Sequence, residues 1–296
     1  MNDLFDALRG LFDASRVSVD YWSMRRVLEA AYALDEVHYR EVWLPYLAQT
    51  GKLPLCHGYT LDEITLLSQL LPEGTRIALA IEDRRFDYEA MCHTPQLSCL
   101  TAIDISYKCK LTDAGFVQMT RSPHLGNVVR LDVGGNHLGD EAMAALAEAE
   151  SIEGLEYLRL YHNEIGARGA RALAESPKMK ALTELDISIN EIGDDGIAAI
   201  GDSPHLGNLH TLNVAGNKIK RQGAEAFART TTLVNLTKLT MGQNSIGNYG
   251  ALALANCPAL SNLKSLSVGR ARVNEKGLQS LRDSEHLTQL EQLYHH

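Results

Sequence analysis

The sequence predicts an α/β solenoid, a parallel sheet lining the inside of an arc with helices on its outside, and three observations predict it. First, an asparagine recurs at Asn136, Asn163, Asn190, Asn217 and Asn244, 27 residues apart each time. The same step outward lands on Cys109 and Ala271 inside the same apolar frame, which makes seven units. Second, each unit joins a short period-two apolar stretch, such as Leu158 and Leu160, to a helix-forming run such as GARGARALAES. Third, one strand and one helix cannot bury both their apolar faces alone, so the units must stack.

The elements follow in chain order. Residues 1–95 lack the repeat and hold both tryptophans. Leu4, Phe5, Leu8, Leu11 and Phe12 recur at helical spacing, as do Trp22, Val27, Leu28, Ala31 and Tyr32, which predicts two or three amphipathic helices before Gly51. A further helix covers Leu61 to Leu71, with Thr60 as its N-cap. Ile77, Leu79 and Ile81 alternate as a strand that begins the sheet ahead of the first regular unit. Residues 1–95 therefore read as a helical cap hiding the first sheet edge, and 96–296 as the solenoid.

Within the array the frame is L-x-x-L-x-L-x-x-N-x-I-G, as in Leu155, Leu158, Leu160, Asn163, Ile165 and Gly166. The anchor asparagine is expected to bond backbone groups of neighbouring turns that burial would leave unpaired. A glycine six residues later (Gly115, Gly169, Gly196, Gly223, Gly250, Gly277, with Ala142 the exception) is expected to let helix and strand approach closely. Pro123, Pro177, Pro204 and Pro258 stop the helices. One extra residue between Ile105 and Cys109 predicts a bulge or loosened turn in the first unit. Leu290 and Leu293 begin another strand, whose open edge is either a truncation or a place for a partner, including self-association.

This frame resembles the leucine-rich repeat in its longer, ribonuclease-inhibitor-like subtype, which implies a right-handed leucine-rich-repeat solenoid. With Ser122-Pro123-His124-Leu125, Ser203-Pro204-His205-Leu206 and the lead around Trp43-Leu44-Pro45-Tyr46-Leu47, the chain resembles a group of bacterial leucine-rich-repeat proteins. The resemblance implies binding of another protein and no enzymatic activity. Ran GTPase-activating proteins share the subtype, so the alternative is a regulator of a small GTPase, with an arginine finger from Arg84, Arg85 or Arg159.

Composition removes other classes. With 296 residues, a net charge of -9 and 22% charged residues, the chain has no basic field for nucleic acid. No stretch approaches a membrane span, the start MNDLFDALRG is no secretory signal, and the five cysteines form no CxxC, which together predict a cytoplasmic protein. No cofactor is expected. Cys56-His57 and Cys92-His93 could supply four zinc ligands, but adjacent side chains diverge, so buried cysteines beside loop histidines are the preferred reading. GxSxG, HExxH and P-loop motifs are missing from the sequence.

The expected site is the concave sheet face, where residues flanking the inward leucines project. The units at Asn136, Asn163 and Asn190 present Arg130, Asp132, Tyr157, Arg159, Tyr161, His162, Glu184, Asp186 and Ser188; later units present Thr211, Asn213, Lys238, Thr240, Ser265 and Ser267. Asp132 and Asp186, two strands apart, are expected about 10 Å from one another, which reads as a solvated acidic face rather than an acid–base pair. Tyrosine and arginine dominate interface hot spots, which nominates Tyr157, Arg159 and Tyr161 as the anchor of a partner protein. The bland reading is a well-packed solvent face, and the charges alongside favour binding.

Overall fold

The computed structural model describes residues 93–106 and 111–295 and the strands Cys56–His57 and Ile77–Ala80. The strands described there form one parallel sheet in strict sequence order: β1 Cys56–His57, β2 Ile77–Ala80, β3 Leu100–Asp104, β4 Arg130–Asp132, β5 Tyr157–Arg159, β6 Glu184–Asp186, β7 Thr211–Asn213, β8 Lys238–Thr240, β9 Ser265–Ser267 and β10 Gln292–Tyr294. A helix follows each strand from β3 to β9: α1 Asp113–Thr120, α2 Asp140–Glu148, α3 Ala167–Glu175, α4 Gly193–Gly201, α5 Arg221–Phe227, α6 Gly247–Ala255 and α7 Glu275–Arg282. These are the seven expected units, and β10 is the strand expected at Leu290 and Leu293. Parallel neighbours require such crossovers, and the helices cover one sheet face.

The sheet reaches further upstream than the regular period. The strand expected at Ile77 to Ile81 is β2, and β1 lies beyond it. Cys56 pairs with Leu79 and Leu79 with Ile103, steps shorter than the one between the asparagines, so the regular spacing does not point to them. A register shift falls at Ile77/Ala78 against β3. The extra residue expected between Ile105 and Cys109 lies at 107–110, outside the described residues, as do the helices expected at Leu4 to Phe12, Trp22 to Tyr32 and Leu61 to Leu71.

Each unit sends two apolar residues, one in the strand and one just past it, and several helix residues into one continuous core. Leu158, Leu160, Ile165, Ala170 and Leu173 are all but inaccessible, and their counterparts in the next unit repeat the pattern. Burying each such leucine is worth about 2 kcal/mol.

The asparagines do what their spacing predicts. Asn163 Oδ1 accepts from Asn136 N and Leu138 N, while Nδ2 donates to Val133 O and Leu160 O, all within 3.1 Å. Asn136, Asn190, Asn217 and Asn244 repeat the arrangement. A second polar row, not expected from the sequence, lies after the helices. Ser176, Ser203 and Ser284 each donate a hydroxyl to a carbonyl of the previous helix, at Ala147, Ala174 and Ala255. The Ser-Pro-His-Leu motif is thereby a staple, since Ser203 Oγ also accepts from His205 N and Leu206 N. Cys257 occupies this row buried, and burial pushes its thiol pKa up.

The glycine row has a different job from the one expected. A Cβ on Gly169 would stand 3.2 Å from Asp140 Cα, on Gly223 2.8 Å from Asp194 Cα, and on Gly277 3.1 Å from Asn248 Cα. These glycines therefore let each helix approach the preceding one closely, with the turn residues Ile165 and Val273 also against Gly169 and Gly277. The close approach lets a residue at the start of one helix cap the next. Asp140 Oδ1 accepts from Gly166 N and Gly169 N, Asp194 Oδ1 from Lys220 N, and Asn248 Oδ1 from Asn274 N. After α3 and α5, which begin at Ala167 and Arg221, the next helix opens on Gly193 or Gly247 at φ +62° or +65°, whose N–H turns to Asn217 O or Ala271 O.

Asn163→Ala strands two amides inside the core and takes one of two hydrogen bonds from each of the Val133 and Leu160 carbonyls, so urea denaturation should show a loss of about 3 kcal/mol or more. A loss under about 1 kcal/mol would contradict the role assigned to the asparagine row.

Candidate functional site

Sheet register arranges the concave face into two rows. One runs Ala102, Arg130, Tyr157, Glu184, Thr211, and the other Asp104, Asp132, Arg159, Asp186, Asn213. The period-two pleat puts these side chains on the face opposite the buried Leu131, Leu158 and Leu185. Seven of the eight expected site residues thus share one surface: Arg130, Asp132, Tyr157, Arg159, Glu184 and Asp186 in the rows, and Tyr161 just past β5. His162 is the outlier. It sits exposed in the turn after the strand at φ +54°, in the same left-handed slot as Gly135, Ile189, Gly216, Gln243 and Arg270, so strand alternation no longer governs its direction.

Arg130 and Arg159 are committed within the face. The Arg130 guanidinium lies 3.9 Å from the centroid of the Tyr157 ring. Arg159 donates to Glu184 Oε1 from Nε at 3.2 Å and Nη2 at 2.9 Å, which holds its guanidinium still more firmly protonated. Asp186 accepts from Ser188 Oγ at 2.6 Å and from Asn213 Nδ2 at 3.0 Å. The Tyr161 ring lies over Gly134, where a Cβ would fall 2.4 Å from it; any side chain at 134 would evict the ring.

Asp104 and Asp132 are the exception to this pairing. Asp104 accepts from Ser106 N at 2.9 Å and Asp132 from Gly134 N at 3.1 Å, and neither has an ion-pair partner among the described residues. Burial, with Asp104 and Asp186 nearby, pushes the Asp132 carboxyl up to about 6, against the lowering by the Gly134 N–H and the Arg159 charge. These two carboxylates line a hollow of about 270 Å³ with Ala102, Arg130, Tyr157 and Arg159. Sequence reasoning passed over Asp104 because the step to its register partner Asp132 is one longer than the period that exposed the others.

Among the described residues, the remaining candidates do not assemble into a site. Cys56 and His57 are consecutive residues of β1, Cys92 lies outside the described residues, and His93 occupies an exposed turn. Among the described residues, no group of three or more His, Cys, Asp or Glu is placed to hold a metal ion, and no helix is long and apolar enough to cross a membrane.

A stacked strand-helix array with a polar and aromatic concave face defines a solenoid of the kind that presents a surface rather than a cleft. Four segments of it, 127–147, 155–174, 179–201 and 205–228, match the family model of the leucine-rich repeat, and the same architecture continues on both sides of them. The chain thus carries leucine-rich repeats, a fold typically used for interaction and not for catalysis. A search of curated proteins finds none that matches it.

The raised pKa of Asp132 has a direct consequence for stability. Its folded value lies above the ordinary 3.8, so its stabilising share is complete below about pH 4 and is lost as pH rises through about 6. Asp132→Asn, which keeps an acceptor for Gly134 N–H, should remove that slope and raise stability at pH 7 by about 1 kcal/mol, measured by urea denaturation across pH 4–7.

Proposed function

We propose that this protein is a non-catalytic interaction module that holds another protein against the concave face, with Tyr157, Arg159 and Tyr161 as anchor and Arg130, Asp132, Glu184 and Asp186 around them. The observation that carries the reading is how the face is built. Arg130 on Tyr157, Arg159 on Glu184 and Tyr161 on Gly134 fix large side chains before any partner arrives, which lowers the ordering cost of binding. The same face keeps a carboxylate that burial destabilises by more than its hydrogen bond from Gly134 N offsets. The 27-residue spacing supports the ribonuclease-inhibitor-like subtype, and the Ser-Pro-His-Leu turns support kinship with bacterial proteins of this kind. The scattered cysteines and the acidic charge support a cytoplasmic setting and a partner that is neither nucleic acid nor membrane.

The GTPase-activating alternative gains no such support. An arginine finger has to leave its own surface for a bound nucleotide, and Arg159 is bonded twice to Glu184. Arg84 and Arg85 lie outside the described residues.

Tyr157→Ala and Arg159→Ala should each cut capture of the partner from a lysate by about tenfold or more while moving Tm by only a few degrees, because Arg159 is half exposed and its ion pair contributes little to stability. Undiminished capture by both variants overturns the reading.

A further inference from the structure

On the helix side the repeat supplies its own comparison, because residues 27 apart occupy the same place on successive helices. The outermost stripe of α6 is Tyr249, Leu252 and Asn256, one and two turns apart on the side away from the sheet. The places of Tyr249 on α3, α4, α5 and α7 hold Arg168, Asp195, Gln222 and Lys276, and those of Leu252 hold Arg171, Ala198, Glu225 and Gln279. Such small, polar and charged residues suit a solvated helix layer. Of these five helices only α6 carries large apolar side chains there, and it does so in the open: Tyr249 is 62% and Leu252 43% exposed. Leu252 also walls a hollow of about 680 Å³ between α6 and α7.

Tyr249 is held in place before anything covers it. The Arg221 guanidinium lies 4.2 Å from its ring centroid and is bonded in turn to Glu225 at 2.7 Å, which fixes the ring against α5 and lowers the cost of ordering it in a contact.

The surroundings of this stripe fit a second copy of the chain. A two-fold contact can turn α6 antiparallel on itself, with Leu252 of one copy against Leu252 of the other and Tyr249 beside Asn256. Since α6 and α7 share one register, the same centring sets Gln279 against Gln279 and brings Lys276 of each copy opposite Asp283 of the other, which makes two opposite-charge pairs. On α5 the Glu225 that faces its own copy is already paired with Arg221. Two arcs touching by their outsides meet along one crest, so a single apolar helix is enough to join them.

We propose that the α6 stripe is the contact of a two-fold homodimer, helix side to helix side. The pairing does not depend on what the concave face binds. It leaves that face open on both copies and pointing outward, which makes the dimer bivalent toward any partner held there. A contact centred on two apolar residues from each copy belongs to the weak class of interfaces, forming at about 10–100 µM.

Sedimentation velocity on the full chain between about 5 and 500 µM should show the average mass rising from one chain toward two. Tyr249→Gln with Leu252→Glu gives α6 the residues that α5 carries at the same places, so the helix should keep its fold, as circular dichroism would check. This variant should associate at least tenfold more weakly. Lys276→Asp alone should weaken the dimer several-fold, and adding Asp283→Lys should restore it. A wild-type chain still monomeric at about 500 µM, a dimer that survives the α6 variant, or a charge swap that restores nothing overturns the proposal. A monomeric chain in which a photo-crosslinker at Leu252 captures a different protein gives the stripe to that protein and overturns the pairing as well.

Discussion

Everything in this molecule depends on one arrangement, a buried amide that serves the backbone of two units at once. Stacking strands in parallel with a tight turn after each leaves carbonyls and N–H groups pointing into the layer between units, where no water reaches them. Asparagine has two donors and an acceptor on a short stem, so a single side chain can close that gap on both sides, as Asn163 does between the turns at Val133 and Leu160. Leucine could fill the space but not the hydrogen bonds. The 27-residue period is therefore a rule about polar satisfaction as much as about apolar packing, and it leaves the concave side chains free to vary.

That freedom is visible in how the two faces of the sheet differ. On the buried face Leu131, Leu158, Leu185, Leu212, Leu239 and Leu266 repeat unchanged in register. On the open face the same registers run from aspartate through arginine to asparagine, threonine and serine. A rigid scaffold that does not care what stands on one surface lets that surface be chosen for recognition. The Arg159–Glu184 ion pair bridges two neighbouring strands of that surface, and Asp132 accepts from Gly134 N in its own turn.

The strand and helix order, the asparagine row and the direction of the concave residues were all legible from the sequence, because each is a consequence of period and side-chain type. Tyr157 and Arg159 could be placed on one face from the spacing alone. Pairings across strands were another matter: that Arg130 would choose the Tyr157 ring over a carboxylate depends on rotamers and on the depth of the hollow, which no spacing encodes. Asp104 and β1 escaped because the steps to their register partners fall off the period, although their neighbours lie in plain register once the sheet is seen. His162 departs from the other expected residues for a local reason, the left-handed backbone that ends each strand.

The lateral caps on the helix side carry a consequence for how such an array can be rearranged. From Asp140 onward the residues that cap a neighbour, Asp140, Asp194 and Asn248, stand two repeats apart, and so do Gly193 and Gly247, which begin the helices left uncapped. The convex layer thus has twice the translational period of the strands. Removing one unit from this stretch would set an alanine or arginine before a helix start built to receive a side-chain acceptor, or such an acceptor before a glycine that has turned away. Removing two would bring matched ends together. By this measure the natural building block is the pair of repeats, and duplication or recombination in whole pairs is the route that leaves every junction intact.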